Sequence, residues 1–238
     1  MYSHLKSFIF YLHGYGSRVQ SVETIHIPEQ DQHHDWRLGV LGFHAFNTVP
    51  NVTEENNLFT YWTSRGTTSA HLPVGIYNID DLAKLLQDQL PEDHSLTILA
   101  NNNTQRISLY TSANLDFRPP TSPGRLLGFP PQVLQADTWH TSSEAIELLH
   151  YRLIRLHCNI VAGTFHQTGQ PSDILHEFSP TSPPGYKIIE EPRNSVYVPI
   201  NTPTIPHITI DITDEQNRPL NFGNSHRIDV RVHLLRWD

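Results

Sequence analysis

The chain has 238 residues, of which only 17% are charged, and 24 Asp and Glu against 16 Lys and Arg give a formal charge of −8. That composition excludes a disordered acidic tail and a coiled coil, and the sign of the charge argues against a protein that coats nucleic acid. A single cysteine, Cys158, excludes an intramolecular disulfide and a cysteine-built zinc cluster.

Alternation of apolar and polar residues, which puts every second side chain on one face of a strand, runs through the sequence. Strands are expected at 5–13, 22–27, 36–46, 57–63, 95–100, 106–111, 151–162, 172–178, 186–190, 195–200, 206–213 and 226–237. The alternation is cleanest near the end, where Ile208, Ile210 and Ile212 share a face, as do Ile228, Val230, Val232 and Leu234. NNNTQ (101–105) reads as a hairpin loop whose asparagines tolerate the left-handed conformation. In 79–91, Leu82, Leu85, Leu86 and Leu90 form a helical stripe, with Asp80 or Asn78 as cap and Pro91 as stop. A weaker helix is expected over 142–149. The proline-rich stretches 119–131 and 180–184 read as long surface connections. Many short strands, long loops and little helix predict an all-β chain: a single jelly-roll β-sandwich with one or two short helices and long Pro-rich loops. One domain is expected over 1–238, its N-terminal boundary within 1–20. Residues 1–7 lack the pattern of a secretory signal, and no apolar run reaches the ~20 residues of a membrane-spanning helix.

The residues offer little chemistry. YLHGYGS (11–17) has the His-Gly-x-Gly of a hydrolase oxyanion loop, but no G-x-S-x-G nucleophile elbow follows, so it reads as a strand ending in a glycine-rich turn. The sixteen histidines include no His-x-His and no His-Glu-x-x-His, the spacings that a jelly-roll metal enzyme would use. Their full protonation would add sixteen charges and carry −8 to +8, so acidification is expected to weaken an assembly by repulsion. Cys158 lies on an apolar strand face with Ile154, Leu156 and Ile160 and reads as a buried small hydrophobe rather than a nucleophile. Phe8, Phe10, Phe43, Phe46, Tyr61 and Trp62 lie within strand patterns and are expected in the core. Trp237 is expected in the core or at a sheet edge. No catalytic residue, metal ligand or cofactor follows from the sequence.

Three stretches carry a family likeness: 156–191 (LHCNIVAGTFHQTGQPSDILHEFSPTSPPGYKIIEE), YVPIN, and ITIDITDEQNRPLNFGNSHRIDVRVHLLRW. VLGFHAFNTVPNVTEENNLFTYW, VGIYNIDDLAKLL and GRLLGF extend it over most of the chain. Together they resemble the penton, or minor capsid, proteins of Maverick/Polinton- and adintovirus-like double-stranded DNA viruses. The resemblance implies a non-enzymatic virion subunit that forms homopentamers at the fivefold vertices of an icosahedral capsid. Its partners would be its own copies and a double jelly-roll major capsid protein, with no direct nucleic-acid contact. Assembly is expected inside the host cell, in the nucleus. For such a subunit, loops 47–57 and 180–186 are the expected contacts, with Asn47, Pro50, Asn51, Pro183, Pro184 and Tyr186 as interface residues. The alternative is a jelly-roll carbohydrate- or receptor-binding module.

Overall fold

The computed structural model describes residues 7–21, 24–26, 35–148, 151–162, 164–165, 171–201 and 204–237. Its contacts divide the chain into two compact units, Met1–Thr48 with Tyr151–Asp238, and Val49–His150. Along the chain, the second unit is inserted between two segments of the first.

The first unit begins with β1 (Ser7–Tyr15), β2 (Arg18–Gln20), β3 (Ile25–His26) and β4 (Asp35–Phe46). The second holds β5 (Leu58–Thr63), β6 (Gly66–His71), α1 (Ile79–Asp88), β7 (Leu96–Asn101), β8 (Arg106–Thr111), β9 (Asn114–Asp116), β10 (Val133–Leu134) and β11 (Thr138–Thr141). The chain then returns to the first unit with β12 (Ile154–Cys158), β13 (Thr164–Phe165), β14 (Pro171–Ser172), β15 (Ile174–Phe178) and β16 (Lys187–Glu190). It ends with β17 (Val198–Pro199), β18 (Thr204–Ile205), β19 (Thr209–Thr213) and β20 (Ile228–Trp237).

Eight strands of the first unit build a jelly roll. One layer has the order β1-β20-β4-β16 and the other β2-β19-β12-β15, with all neighbours antiparallel. The β1–β2 hairpin joins the layers through the pairs His13–Gln20, Gly14–Val19 and Tyr15–Arg18. Between the layers, the Phe43 ring of β4 meets Phe178 of β15 at 5.2 Å and Phe222 at 6.2 Å. Every residue singled out by the C-terminal alternation is buried here: Ile208, Ile210, Ile212, Ile228, Val230, Val232 and Leu234. These two segments, however, lie in different layers and do not pair with each other, because β19 bonds to β2 and β12 while β20 bonds to β1 and β4.

A bulge in β4 escapes simple alternation. Val232 pairs with Val40 and Arg231 with Gly42, so Leu41 is an extra residue that reverses the facing of the strand. Trp36, Leu38 and Val40 are buried before it, Phe43 and Ala45 after it.

The second unit has a four-stranded sheet, β10-β9-β5-β6, and a three-stranded sheet, β11-β8-β7. Leu82 and Leu86 of α1 enter their shared core with Phe59, Ile107, Leu109 and Leu115. Asn78 caps the helix, its side chain accepting from Asp81 N at 2.8 Å. The weaker helix expected over 142–149 is not formed: the described part, 142–148, is irregular. Its backbone N–H groups are taken by distant carbonyls, Ser142 by Ile107, Glu144 by Gly128 and Ile146 by Gln105. In the β7–β8 loop, Gln105 rather than an asparagine adopts the left-handed conformation, at φ 54°. Asn101 instead accepts from the N–H groups of Asn103 and Thr104.

The YLHGYGS stretch is the corner between the two layers, a strand ending in a turn as its spacing suggests. A Cβ on Gly14 would lie 2.0 Å from the Arg18 carbonyl oxygen, and Gly16 has φ +66°. Gly14→Ala is expected to destabilise the protein by about 1–3 kcal/mol through overpacking, read as a lower midpoint in denaturant unfolding.

Candidate subunit interface

The two outer faces of the jelly roll differ in chemistry. On the β2-β19-β12-β15 layer, charges are matched strand by strand. Arg18 grips Asp211 with two bonds of 2.5 and 3.0 Å, and Arg155 donates to Glu177 at 2.5 Å and to the Glu215 carbonyl at 2.8 Å. His157 links three segments, with Nδ1 2.7 Å from Asp173 and Nε2 3.0 Å from Thr213 Oγ1.

That hydroxyl–imidazole–carboxylate order matches a nucleophile relay, in which the hydroxyl must give its proton to the imidazole. Here Thr213 Oγ1 donates instead to the Asp214 carbonyl at 3.2 Å, within an ion-paired sheet face. The arrangement is a clamp across β19, β12 and the start of β15. Asp214 continues it into the 214–219 turn. Burial pushes its carboxyl up, but the Arg218 N–H and guanidinium and the Gln216 N–H outweigh this and hold it below the usual carboxylate range. Cys158 is buried beneath this face, and burial pushes its thiol up to about 12, far from a reactive thiolate. Among the described residues, no three His, Cys, Asp or Glu side chains are grouped to hold a metal ion.

The β1-β20-β4-β16 layer faces outward differently. Its register aligns Ile9 with His233 and Gly39, Tyr11 with Arg231 and Gly42, and His13 with Asp229, His44 and Ile189. Ile9, Tyr11, Ile189 and Trp237 are exposed, Tyr11 to 63%. None of the exposed large apolar residues lies on the strands of the opposite layer. Trp237, expected in the core or at a sheet edge, is 48% exposed at the end of β20, with the Arg37 guanidinium 4.5 Å from its ring. Phe46, expected in the core, is also exposed and lies against His226 at 4.4 Å, because the bulge turns it outward.

Residues 191–197 form a strap over this layer. Glu191 accepts from Arg231 at 2.8 Å, Ser195 Oγ donates to the Val40 carbonyl, and the Tyr197 ring fills the space that a Cβ on Gly39 would occupy. The Tyr197 hydroxyl and His233 Nδ1 share a 2.8 Å hydrogen bond. Burial lowers the pKa of His233 by disfavouring its charged form.

The six interface residues expected from sequence fall into distinct settings. Asn47 is buried in the first unit, where it accepts from the Tyr151 hydroxyl at 2.5 Å and donates to the Ser182 carbonyl at 2.9 Å. Asn51 is buried in the second unit and exchanges hydrogen bonds with the Tyr77 backbone. These two hold their loops through hydrogen bonds within the chain. Pro50 and Pro184 are half-buried, Pro183 is exposed, and Tyr186 is 67% exposed. Backbone bonds between Asn47 and residues 185–186 bring the Asn47 and Tyr186 loops together. The exposed residues of β1 were missed because a half-exposed Tyr or Ile reads in sequence like a core residue.

The crystal structure of the selenomethionine-labelled mavirus penton protein superposes on this chain with a TM-score of 0.53, covering 97% of this chain and 99% of that one at 11% identity. The chain has the fold of that penton protein. No family model matches the sequence, and no curated protein matches it. The shared jelly roll agrees with the fold class that the alternation predicts.

Two outcomes follow from these faces. Thr213→Val is expected to cost about 1–2 kcal/mol by unmaking the clamp, measured by urea unfolding. For His233, a folded pKa below the ordinary 6.5 means that the unfolded chain binds the proton more readily. Stability contributed by neutral His233 is therefore present above pH 6.5 and is lost as the pH falls toward the lowered value. His233→Gln should flatten that part of the melting-temperature profile relative to wild type.

Proposed function

We propose that this protein is a penton-type minor capsid subunit, non-enzymatic, whose copies form homopentamers at the fivefold vertices of an icosahedral capsid. The observation that carries the reading is the unequal chemistry of the two outer faces on a penton fold. One layer closes its charges upon itself, while the other leaves large apolar side chains in solvent. Exposed apolar residues gathered on one face mark an interaction surface. Burying each such side chain would contribute about 1.5–3 kcal/mol, whereas the exposed ion pairs opposite contribute little.

In this reading the two units act together as one capsid subunit over 1–238. Copies meet head to tail around a ring, which uses two different patches of each copy. Ile9, Tyr11 and Ile189 supply apolar contacts of one patch, and Pro183 and Tyr186 supply loop contacts. Further contacts join the pentamer to a double jelly-roll major capsid protein, which places the protein in the virion after assembly in the host nucleus. No described helix is long and apolar enough to cross a membrane.

Native mass spectrometry of the full chain should give a five-copy species. Tyr11→Asp with Ile189→Asp should reduce it to a monomer that keeps the far-ultraviolet circular dichroism of the folded chain, because both side chains are exposed in the single subunit. A wild-type chain that remains monomeric, alone and with its major capsid partner, would overturn the reading.

A further inference from the structure

In the second unit, the β11-β8-β7 sheet has one face in the core and one in solvent. Ile107, Leu109 and Thr111 of β8 point inward and are buried. The outward positions form two rows in register: Trp139, Tyr110 and Thr97, then Thr141, Ser108 and Leu99. Trp139 is 51% exposed, and its ring lies 5.6 Å from that of Tyr110, the planes inclined at 47°. The neighbouring row carries hydroxyls, with Ser108 Oγ and Thr141 Oγ1 3.3 Å apart. The alternation that fills the inner face with aliphatic residues therefore places the largest aromatic side chain on the outer one. A large apolar side chain kept in solvent is the informative exception on a folded surface when it lies in a cluster.

We infer that this face binds a neutral saccharide. A pyranose ring is amphipathic, with an apolar C–H face and a rim of hydroxyls. The two tilted rings offer a floor for the first, and Ser108, Thr141 and Thr97 offer donors and acceptors for the second. Charge favours a neutral ligand. Arg106 stands at one end of the face, paired in register with Asn101, and Asp137, which accepts from the Tyr110 hydroxyl at 3.4 Å, stands at the other. The opposite signs cancel, and one arginine is too little for a strand of nucleic acid. Size points the same way. Six side chains fall well short of the roughly 20–30 residues a side of a stable protein interface. This site does not depend on the capsid reading, since it lies on other strands and in the other unit.

The test is a printed array of neutral and acidic glycans probed with the full chain, followed by titration of the best-bound neutral glycan. Wild type should bind neutral glycans, and Trp139→Ala should weaken binding at least tenfold with an unchanged melting temperature. Trp139→Phe should retain part of the affinity, which a merely structural role for the indole would not produce. The variant should still form the same oligomer as wild type, so failure here and failure of the capsid reading are read separately. An array without neutral binding, equal affinity of Trp139→Ala, or Trp139-dependent binding of oligo(dT) in place of glycans would each overturn the inference.

Discussion

At Gly14 the backbone of β1 passes so close to the Arg18 carbonyl oxygen that a Cβ would stand 2.0 Å from it. That approach lets the chain leave one layer of the sandwich and enter the other within a single hairpin. With the corner in place, β20 pairs along β1, β19 pairs along β2, and the rest of each layer is built outward from these two pairs. The apolar faces then meet, as the contact of the Phe43 and Phe178 rings shows. A bulkier residue at this one position would press on the Arg18 and Val19 backbone, where the hydrogen bonding of the two layers is continuous.

A sandwich closed in this way has two outer surfaces, and their side chains divide the work. On one, arginine–carboxylate pairs and the His157 clamp satisfy polar groups across neighbouring strands. On the other, Ile9, Tyr11 and Ile189 stay in water beside a row of charged and imidazole groups. Tyr197 of the strap covers the part of this layer where Gly39 leaves room, and the Arg231 side chain, held by Glu191, lies over Gly42. The second unit enters after β4 and returns before β12, so its length and surface can vary without touching the order of the jelly-roll strands. A loop-borne insertion on a rigid β framework is where recognition is usually placed.

Much of the framework was legible in the residues. The period-2 patterns at 206–213 and 226–237 mark their buried faces correctly, the leucine stripe marks α1, and the glycine pair marks the corner. Short strands such as β2, β6, β9 and β11 were not legible. Three residues seldom show a period, and the Gly-Thr-Thr-Ser-Ala-His of β6 has no large apolar side chain, as an edge strand tolerates. The Leu41 bulge was equally hidden, since one extra residue in an apolar run leaves no mark on composition. Asn47 and Asn51 illustrate the same limit at the site. Asparagine in a proline-containing loop looks like surface, and only the folded chain shows Tyr151, Ser182 and Tyr77 holding those amides inside.

The sequence by itself determined the strand-rich class, the buried face of the longest strands and the absence of recognisable catalytic spacing. These depend on local periodicity and residue type, which any short window displays. The tertiary structure decided which strands became neighbours, where the insertion divides the chain, and which apolar side chains stayed in solvent. Those outcomes depend on pairings between residues far apart in the chain, such as Ser7 with Leu235, and a local pattern is compatible with many such pairings.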